Sequence, residues 1–366
     1  MRCSIIGWLA CSSGIHLKQL LKPELSAEAV GLALNRRSIT LQENTPPSIS
    51  RPVYSLSPFV SRPLMRLAQE ISRYAVPRGL PRMVWIMRRL FVGSGIRTVS
   101  YRDRFRMYCD SDSYPSVMAA CGFVYHHMDR VLSMVLKPPV TFLDVGANVG
   151  FVTLLACSKV RSKGGRIVAH CFEPDPGVFP WLSGNQSLNS SLFEIVVNPC
   201  AVGAVEGEGE LTISARSGWS TMAHEPAGGF SFLSKAGKTT VKVTTLDTYC
   251  REHELSPTVI KIDVEGLEQE VLAGARTIME QSRPYLFIEI NPLRLAAAGT
   301  SGEDVIRQLS LSRYRLFHID PHCAKSVLHA KRDEWHGLPE VRQDDLVMGQ
   351  DFDALAVPEE LASESS

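Results

Sequence analysis

The chain lacks the features of a metal-binding, disulfide-stabilised or membrane-spanning protein. Its nine cysteines include no C-x-x-C pair and no metal-ligand spacing, so the sequence predicts no metal site. Several cysteines fall in core-like segments, which favours reduced, buried thiols in a cytoplasmic protein over disulfides. The apolar stretch at residues 5–10 is broken by Gly7 and is far shorter than the roughly 20 residues that a membrane span needs. It also lacks the continuous apolar core of a signal peptide, so we predict no secretion.

Net charge is nearly absent as well, at +1 over 366 residues, but it is unevenly distributed. Residues 1–110 contain 17 Lys and Arg against 6 Asp and Glu, whereas the rest of the chain contains 22 against 32. The first part therefore carries +11 and the second −10. A hydrophobic content of 45% is typical of a globular protein with a sizeable core. The sequence thus predicts a basic N-terminal extension before an acidic, enzyme-sized body.

The first part of the chain shows few signs of packed structure. Residues 42–63 are rich in Pro and Ser, as linkers are, and we expect residues 1–63 to be a disordered, basic extension. Residues 64–138 predict a helical lead-in that contains a short hairpin at 97–109 and a helix at 114–136. Residues 82–91 combine three arginines with apolar residues. Such a segment either makes a peripheral contact with an anionic membrane or packs on its own domain, which is the commoner outcome.

The stretch VTFLDVGANVG at 140–150 has the pattern of a buried parallel strand, a small-residue turn and the start of a helix. This is the first half of a nucleotide-binding α/β unit, whose ligands bind beyond the carboxyl ends of the strands. The turn lacks the third glycine of G-x-G-x-x-G, which argues against a dinucleotide. Asp144 precedes the turn, and Glu173 ends the next strand, where a carboxylate accepts ribose hydroxyls. Two acidic positions suit S-adenosyl-L-methionine (SAM), which is cationic and has no phosphate; otherwise Asp144 is a structural residue of a generic nucleotide fold.

Beyond residue 150 the apolar patterns alternate between helix and strand up to residue 358, as a doubly wound α/β sheet requires. One of the predicted helices extends over residues 267–282. Residues 139–358 therefore predict a single α/β domain, followed by a short tail at 359–366. A Gly- and Ser-rich stretch at 215–238 predicts a long loop near the carboxyl ends of the strands.

Six motifs together resemble the FkbM family of SAM-dependent methyltransferases. They are FLDVGANVG at 142–150, FEPDP at 172–176, NPCAVG at 198–203, VTTLDTYC at 243–250, KIDVEGLEQEVLAGA at 261–275 and LFIEINP at 286–292. The resemblance extends over residues 97–357, and residues 1–60 match nothing in the family. It implies a class I (Rossmann-like) methyltransferase fold: a seven-stranded, mostly parallel sheet with helices on both faces, its last strand antiparallel, here with an N-terminal helical and basic extension. It also implies methyl transfer from SAM to a hydroxyl of a sugar, glycolipid or secondary metabolite.

The candidate cofactor-binding residues lie in the turn and at the strand ends. They are Asp144, Gly146, Asn148, Gly150, Glu173 and Asp263.

Transfer to an alcohol predicts a general base as well, because an alcohol is a poor nucleophile at neutral pH. Asp263 is the first candidate, since it ends the strand expected beside the one that carries Asp144, and Glu265 and Glu289 are alternatives. Asp263 alternatively contacts only the cofactor or caps the next helix, and Glu289 is alternatively structural, with Asn291 as the helix cap after it. His224, in the long loop, is a further candidate base, although a lone loop histidine is more often solvated.

Two functions of other kinds also fit parts of the pattern. One is a nicotinamide (NAD)-dependent Rossmann oxidoreductase, against which the missing third glycine and Asp144 argue. The other is a catalytically silent SAM-binding protein, against which the complete set of Asp144, Glu173 and Asp263 argues. Nucleic-acid methylation is disfavoured, because the strand-end motif is DVEG rather than an Asn/Asp-Pro-Pro-aromatic motif and the body is acidic. We therefore predict a small-molecule or glycan acceptor and no nucleic-acid partner.

Overall fold

The computed structural model describes residues 53–55, 61–72, 79–88, 92, 95–124, 128–214, 235–319, 338–346 and 351–363. The predicted loop at 215–238, including His224, therefore lies largely outside the described residues. The chain divides into two compact units, residues 1–126 and 127–366. The sequence places this boundary later, at 138/139, because it assigns the helix before the first sheet strand to the lead-in.

The first unit contains a three-stranded sheet flanked by helices. Its described elements are β1 (Val53–Ser55), α1 (Ser61–Ile71), α2 (Leu80–Ile86), β2 (Ile96–Tyr101), β3 (Phe105–Asp110) and α3 (Tyr114–Ala120). Strands β2 and β3 pair antiparallel over their full length, which confirms the predicted hairpin. Strand β1 pairs with β2 in parallel, so these three residues are part of a sheet and the prediction of a disordered extension up to residue 63 is wrong there. Val and Tyr favour a strand, and the pairing satisfies their backbone groups.

Helix α2 lies in the basic segment for which two roles were open. Leu80 and Val84 are buried, as expected if this helix packs on its own unit. Ile86 remains 69% exposed. The structure therefore accounts for one face of the helix by packing and leaves an apolar residue on the other.

The second unit contains a seven-stranded sheet, a three-stranded sheet and the remaining helices. Its described elements are α4 (Met128–Val135), β4 (Val140–Val145), α5 (Phe151–Ser162), β5 (Ile167–Phe172), α6 (Phe179–Leu188), β6 (Glu194–Asn198), β7 (Ala201–Val202), β8 (Gly207–Ser214), β9 (Lys235–Thr244), α7 (Leu246–Glu252), β10 (Val259–Ile262), α8 (Glu268–Ala273), α9 (Arg276–Gln281), β11 (Tyr285–Ile290), α10 (Pro292–Ala297), α11 (Gly302–Leu311), β12 (Tyr314–His318), α12 (Gln343–Leu346), β13 (Phe352–Pro358) and α13 (Glu359–Ser363).

The large sheet has the strand order β12-β13-β11-β10-β4-β5-β6. Strand β13 is antiparallel to both of its neighbours, whereas β11, β10, β4, β5 and β6 pair in parallel. The predicted seven-stranded sheet with an antiparallel last strand is therefore confirmed, and the class I methyltransferase fold with it. Strand β4 lies at the centre, with β5 on one side and β10 on the other, so its carboxyl end meets those of both neighbours.

Helices cover both faces of this sheet, as predicted. Thr153 of α5 contacts Asp144 and Cys171, which places α5 on the face to which these strand residues point. Tyr249 of α7 contacts His170, the residue before Cys171, and successive strand residues point to opposite faces. Helix α7 therefore covers the other face, where α8, α9 and α11 share one core with it.

Two predicted helices are interrupted. The helix expected over 114–136 is two helices, α3 and α4, and the second packs with the sheet unit, where Lys159 of α5 pairs with Asp129 at 2.9 Å. The helix expected over 267–282 is also two helices, because the first ends at Gly274. The predicted cap is confirmed: Asn291 begins α10, and its side chain accepts the N–H of Arg294.

All six cysteines in the described part of the chain are unpaired and buried. This confirms the expectation of reduced core thiols for those residues. None of the helices described there combines the length and apolar character of a membrane-spanning segment.

Candidate functional site

The turn between β4 and α5 has its backbone N–H groups engaged by the neighbouring strand. The N–H groups of Gly146 and Ala147 both donate to the carbonyl oxygen of Phe172, each at 3.0 Å. The N–H group of Asn148 donates to Glu173 Oε2 at 2.9 Å. A phosphate bound at such a turn needs these N–H groups, so this turn is not prepared to hold one.

The same turn lies directly against the end of β10. Gly146 has φ 73°, and a Cβ there would lie 1.8 Å from the backbone oxygen of Asp263. Only glycine therefore allows this approach. Lys261 Nζ donates to the Gly146 carbonyl oxygen at 2.8 Å. Asn148 and Gly150 also have positive φ, at 52° and 80°, and Gly150 leads into α5.

Glu173 lies beside the turn at the carboxyl end of β5, where the sequence places it. Its Oε1 accepts the N–H of Asp175 and its Oε2 that of Asn148, both at 2.9 Å. Burial raises the pKa of Glu173 to about 7, although these two N–H groups lower it. Each oxygen keeps a further lone pair, so the carboxylate can also accept ribose hydroxyls.

Asp144 lies behind the turn rather than at its surface. The residue is fully buried, and its Oδ2 accepts the hydroxyl of Thr153 at 2.5 Å. Its Oδ1 has no hydrogen-bond partner among the described residues and lies 3.3 Å from Lys261 Nζ. The expectation that Asp144 contacts the cofactor directly is not supported by this placement, because its strand position points to the face covered by α5. Asp144 contacts Thr153 of α5 and Lys261, and Lys261 in turn donates to the Gly146 carbonyl oxygen.

Three carboxyl groups meet where β10 and β11 end. Asp263 directly follows β10, Glu289 lies in β11, and a hydrogen bond joins their side chains. Glu265 follows in the next loop. One oxygen of each lies within 4.8 Å of the others, and all three side chains are half-buried. We call Asp263, Glu265 and Glu289 the carboxyl cluster.

Two cationic side chains neutralise part of this cluster. Lys261 Nζ lies 3.1 Å from Asp263 Oδ2, and Arg294 Nε lies 3.3 Å from Glu265 Oε2. The three carboxyl groups are close enough together for one metal ion to contact all of them, but Lys261 and Arg294 already supply positive charge there. The sequence predicts no metal site. A cationic ligand such as a sulfonium would also balance the negative charge that these two side chains leave.

The three groups of the cluster differ in their affinity for protons. Burial raises the pKa of Asp263, but the charge of Lys261 and a hydrogen bond from Glu289 outweigh it, so this pKa lies below its ordinary value. The Asp263 charge, followed by burial, raises the pKa of Glu289 well above its ordinary value. Burial and then the Asp263 charge raise the pKa of Glu265 to about 7, despite Arg294. Of this pair, Asp263 therefore loses its proton more readily, and Glu289 keeps its proton to higher pH.

The loop that carries Glu265 is held in a strained shape. Glu265 has φ 56°, which is uncommon for a residue with a Cβ. A Cβ at Gly266 would lie 2.6 Å from the Arg294 carbonyl oxygen. Below the loop, Glu268 is buried, and its Oε1 accepts the N–H groups of Val264 and Gly266 at 3.3 and 3.1 Å. Strain of this kind persists where surrounding contacts impose it, and it is commonest at functional sites.

The raised carboxyl pKa values predict that the ligand-free protein loses stability as pH rises. Burial is the first cause that raises the pKa of Glu173, Glu265 and Glu268 from 4.5 to about 7. The folded state therefore binds more protons than the unfolded state between these values, and stability falls as pH rises from about 4.5 to 7. Burial lowers the pKa of His170, and this makes stability rise with pH up to about 6.5. The three carboxyl groups together outweigh this single histidine.

We therefore expect the melting temperature of the ligand-free protein to decrease between pH 5 and pH 8. Glu268→Gln, which removes one buried ionisable group, should flatten this decrease. Thermal unfolding followed by circular dichroism across this range tests it. A melting temperature that rises steadily through pH 7 in wild type would contradict the carboxyl pKa values.

The sequence and the structure agree on much of the site. The glycine turn, Glu173, Asp263 and Glu265 come together at the carboxyl ends of adjacent strands, whereas His224 lies outside the described residues and stays a prediction. Sequence reasoning missed Lys261 and Glu268, although a lysine inside the otherwise apolar strand VIKI was a usable signal, because buried lysines need partners.

Comparison with known proteins identifies this part of the chain. Residues 144–316 match the methyltransferase FkbM domain. The chain is 29% identical over 168 residues to the hexuronic acid methyltransferase AglP of Haloferax volcanii, covering 46% of this chain and 60% of that protein. It is 25% identical over 174 residues to the 2-O-methyltransferase NoeI of Sinorhizobium fredii, covering 45% of this chain and 69% of that protein.

Among solved structures, the chain is similar to the methyltransferase FkbM from Methylobacillus flagellatus KT, with a TM-score of 0.34 and 19% identity. That match covers 58% of this chain and 52% of the other, and a score this low carries no argument. The match to the domain is the informative one, because residues 144–316 contain the glycine turn, Glu173 and the whole carboxyl cluster. Residues 144–316 of this chain are thus similar to the FkbM domain of methyltransferases.

Proposed function

We propose that this protein is a SAM-dependent O-methyltransferase that acts on a hydroxyl of a sugar, glycolipid or secondary metabolite. The observation that carries the proposal is the chemistry of the carboxyl edge of the sheet. The N–H groups of its turn, which a phosphate would need, already donate to Phe172 and Glu173. The side chains at this edge are those of Glu173 and the carboxyl cluster. A nucleoside with a positive charge and no phosphate fits this set, and NAD does not.

The residues present fit SAM in two places. Glu173 offers oxygens for the ribose hydroxyls, and Asp263 faces the edge with 20% of its side chain exposed. When bound, SAM supplies a methyl group on a positively charged sulfur.

The chain's own contribution to the reaction is to position the acceptor and to take its proton. Asp263 accepts the proton of the acceptor hydroxyl while the oxygen becomes methylated. An alcohol oxygen that is methylated while it still carries its proton becomes a protonated ether, which is a strong acid. Even a carboxylate with a lowered pKa therefore accepts that proton. Glu289 is less suited to this step, because the Asp263 charge raises its pKa and it keeps its own proton to higher pH.

The acceptor class is supported by the two curated relatives. One is named as a hexuronic acid methyltransferase and the other as a 2-O-methyltransferase, and both names indicate carbohydrate or hydroxyl chemistry. The identities are low, and the chain spans only 60% of the first relative. The acceptor is therefore proposed as a class and not as a compound.

Calorimetry with SAM, S-adenosylhomocysteine (SAH) and NAD tests the cofactor first. We expect SAM and SAH to bind and NAD not to bind. Transfer of labelled methyl groups to octyl glycosides of glucose, mannose, galactose and glucuronic acid then tests the acceptor, with product masses to locate the methyl group. Binding of NAD instead of SAM would favour the oxidoreductase, and SAM binding without transfer to any hydroxyl would favour the silent binding protein.

Glu173→Ala should weaken binding of SAM and SAH alike by about 1–3 kcal/mol, because both ligands carry the ribose whose hydroxyls lose their acceptor. Calorimetry measures this, with Glu194→Ala on the neighbouring strand β6 as a control, since Glu194 is exposed. Unchanged affinity for both ligands would place the ribose elsewhere.

Two further parts of the proposal concern location and partners. We propose a cytoplasmic protein with no nucleic-acid partner and a peripheral membrane contact through α2. The membrane contact rests on exposed Arg82 and on Ile86, which is 69% exposed. Basic and apolar side chains on one helix face suit an anionic bilayer. Co-sedimentation with phosphatidylserine vesicles, compared between wild type and Ile86→Glu, tests it, and equal sedimentation of the two would refute a contact through this face.

A further inference from the structure

Lys261 is the charged residue at the centre of the site, and nothing in the proposed reaction yet uses it. The side chain is 7% exposed, in a strand whose other described residues are apolar. Burying a lysine costs free energy unless its charge is paired and its protons are bonded. Its position therefore needs an explanation in the contacts of its ammonium group.

The ammonium group lies close to three oxygens at the ends of β4 and β10. Lys261 Nζ donates a hydrogen bond to the Gly146 carbonyl oxygen at 2.8 Å. It also forms ion pairs with Asp263 Oδ2 at 3.1 Å and with Asp144 Oδ1 at 3.3 Å. The lysine thus connects the fully buried Asp144 to the partly exposed Asp263.

The glycine turn and the Asp263 carboxylate, both of which Lys261 contacts, differ in how many other contacts hold them. The glycine turn is also held by Phe172 and Glu173. Asp263 is held by Lys261 and, across the strand, by Glu289. Removing the lysine should therefore disturb the Asp263 carboxylate more than the turn.

We propose that Lys261 is a positioning residue that acts through Asp263, holding this carboxylate ionised and in place against the glycine turn. The proposal rests on the proposed methyl transfer. Lys261 lies behind Asp263, with 7% of its side chain exposed against 20% for Asp263, so it does not itself contact the acceptor.

The surroundings of Asp263 explain why a cation is needed there. Negative or protonatable groups face it from every side: Asp144 on β4, Glu265 in the loop, Glu268 on α8 and Glu289 on β11, with Asp353 of β13 beside Glu289. Arg294 pairs with Glu265. Lys261 is thus the cation that contacts Asp263 directly among the described residues, and it favours the charge on Asp263 over the neighbouring carboxyl groups.

A double-mutant cycle between Lys261→Met and Asp263→Asn tests the proposal. The first readout is the carbon-13 chemical shift of the labelled methyl group of bound SAM, which requires no acceptor. We expect Lys261→Met to move this signal in the wild-type background and to leave it unchanged when Asp263 is already Asn. A role that is only structural would give the same change in both backgrounds, because independent effects add.

Turnover on the best octyl glycoside is the second readout. Lys261→Met should lower the single-turnover rate by about 10- to 100-fold with Asp263 present, since it removes part of what a general base contributes, and by less than about threefold with Asn at 263. Lys261→Arg keeps the charge and should recover part of the rate. Lys159→Met is the matched control, because Lys159 is 11% exposed and paired with Asp129 but lies away from the cluster, and it should change stability alone.

The outcomes separate the inference from the proposed function. If wild type shows no signal from bound SAM, the proposed function fails. If wild type binds SAM and Lys261→Met changes both backgrounds equally, or changes neither, the inference fails and the function stands. If Lys261→Met does not fold, the same cycle is run with Lys261→Arg, and a loss of rate that is equal with and without Asp263 overturns the proposal.

Discussion

Gly146→Ala should destabilise the sheet unit by about 3–5 kcal/mol, among the larger effects expected of a single substitution, and should abolish SAM binding. The added Cβ would lie 1.8 Å from the Asp263 backbone oxygen. The backbone at Asp263 cannot move away from this Cβ without separating β4 from β10, because the Asp263 N–H donates to the Val145 carbonyl oxygen. Thermal unfolding should show a melting temperature lower by about 10 °C, and calorimetry should show no heat of SAM binding.

Gly164→Ala is the matched control for this experiment. Gly164 has φ 72°, nearly the same as the 73° of Gly146, but a Cβ there meets nothing within 4 Å. The two variants therefore share the cost of a left-handed alanine, about 1–2 kcal/mol. Their difference measures the close approach between the turn and β10. Equal melting temperatures, with SAM still bound by Gly146→Ala, would contradict the close contact.

The sequence predicts the order of the strands better than the course of the helices. Strand β4 and its neighbours are short apolar runs that end at glycine or acidic residues, and such runs have few other structures available. The helix expected over 267–282 is interrupted at Gly274, where a Cβ would lie 2.1 Å from the Gly203 carbonyl oxygen. That contact joins residues far apart in the sequence, so no local pattern shows it.

The site was predictable where a residue type and a strand end together define a role. Glu173 and Asp263 follow strand patterns, and the topology alone brings them to one edge. Asp144 also follows a strand pattern, but its burial depends on the face that α5 covers, which Thr153 reveals only in three dimensions. Lys261 is a charged exception within an apolar strand, and only the structure shows the three oxygens that lie close to its ammonium group.

The role of Asp263 decides how the acceptor hydroxyl would lose its proton, because Asp263 is the residue of the carboxyl cluster whose pKa lies below its ordinary value. Asp263→Asn keeps the size of the side chain and its hydrogen-bonding capacity but removes the basic oxygen. We expect the single-turnover rate to fall by about 10²–10⁴-fold, the range that a general base contributes. SAH, which carries no sulfonium charge, should bind the variant as it binds wild type, and this shows that the site remains folded.

Glu289→Gln provides the comparison, because the Asp263 charge raises the pKa of Glu289 well above its ordinary value and glutamine resembles the protonated form of glutamate. This variant should lose far less activity than Asp263→Asn. The pH dependence then separates Asp263 from Glu265, whose pKa is about 7 because of burial and the Asp263 charge. If Glu265 were the base, the rate would fall below pH 7 in wild type, and this fall would disappear in Glu265→Gln. With Asp263 as the base, the Asn variant loses rate at every pH; a wild-type rate and pH profile in that variant would end its candidacy and leave Glu265 and His224 as the residues to test.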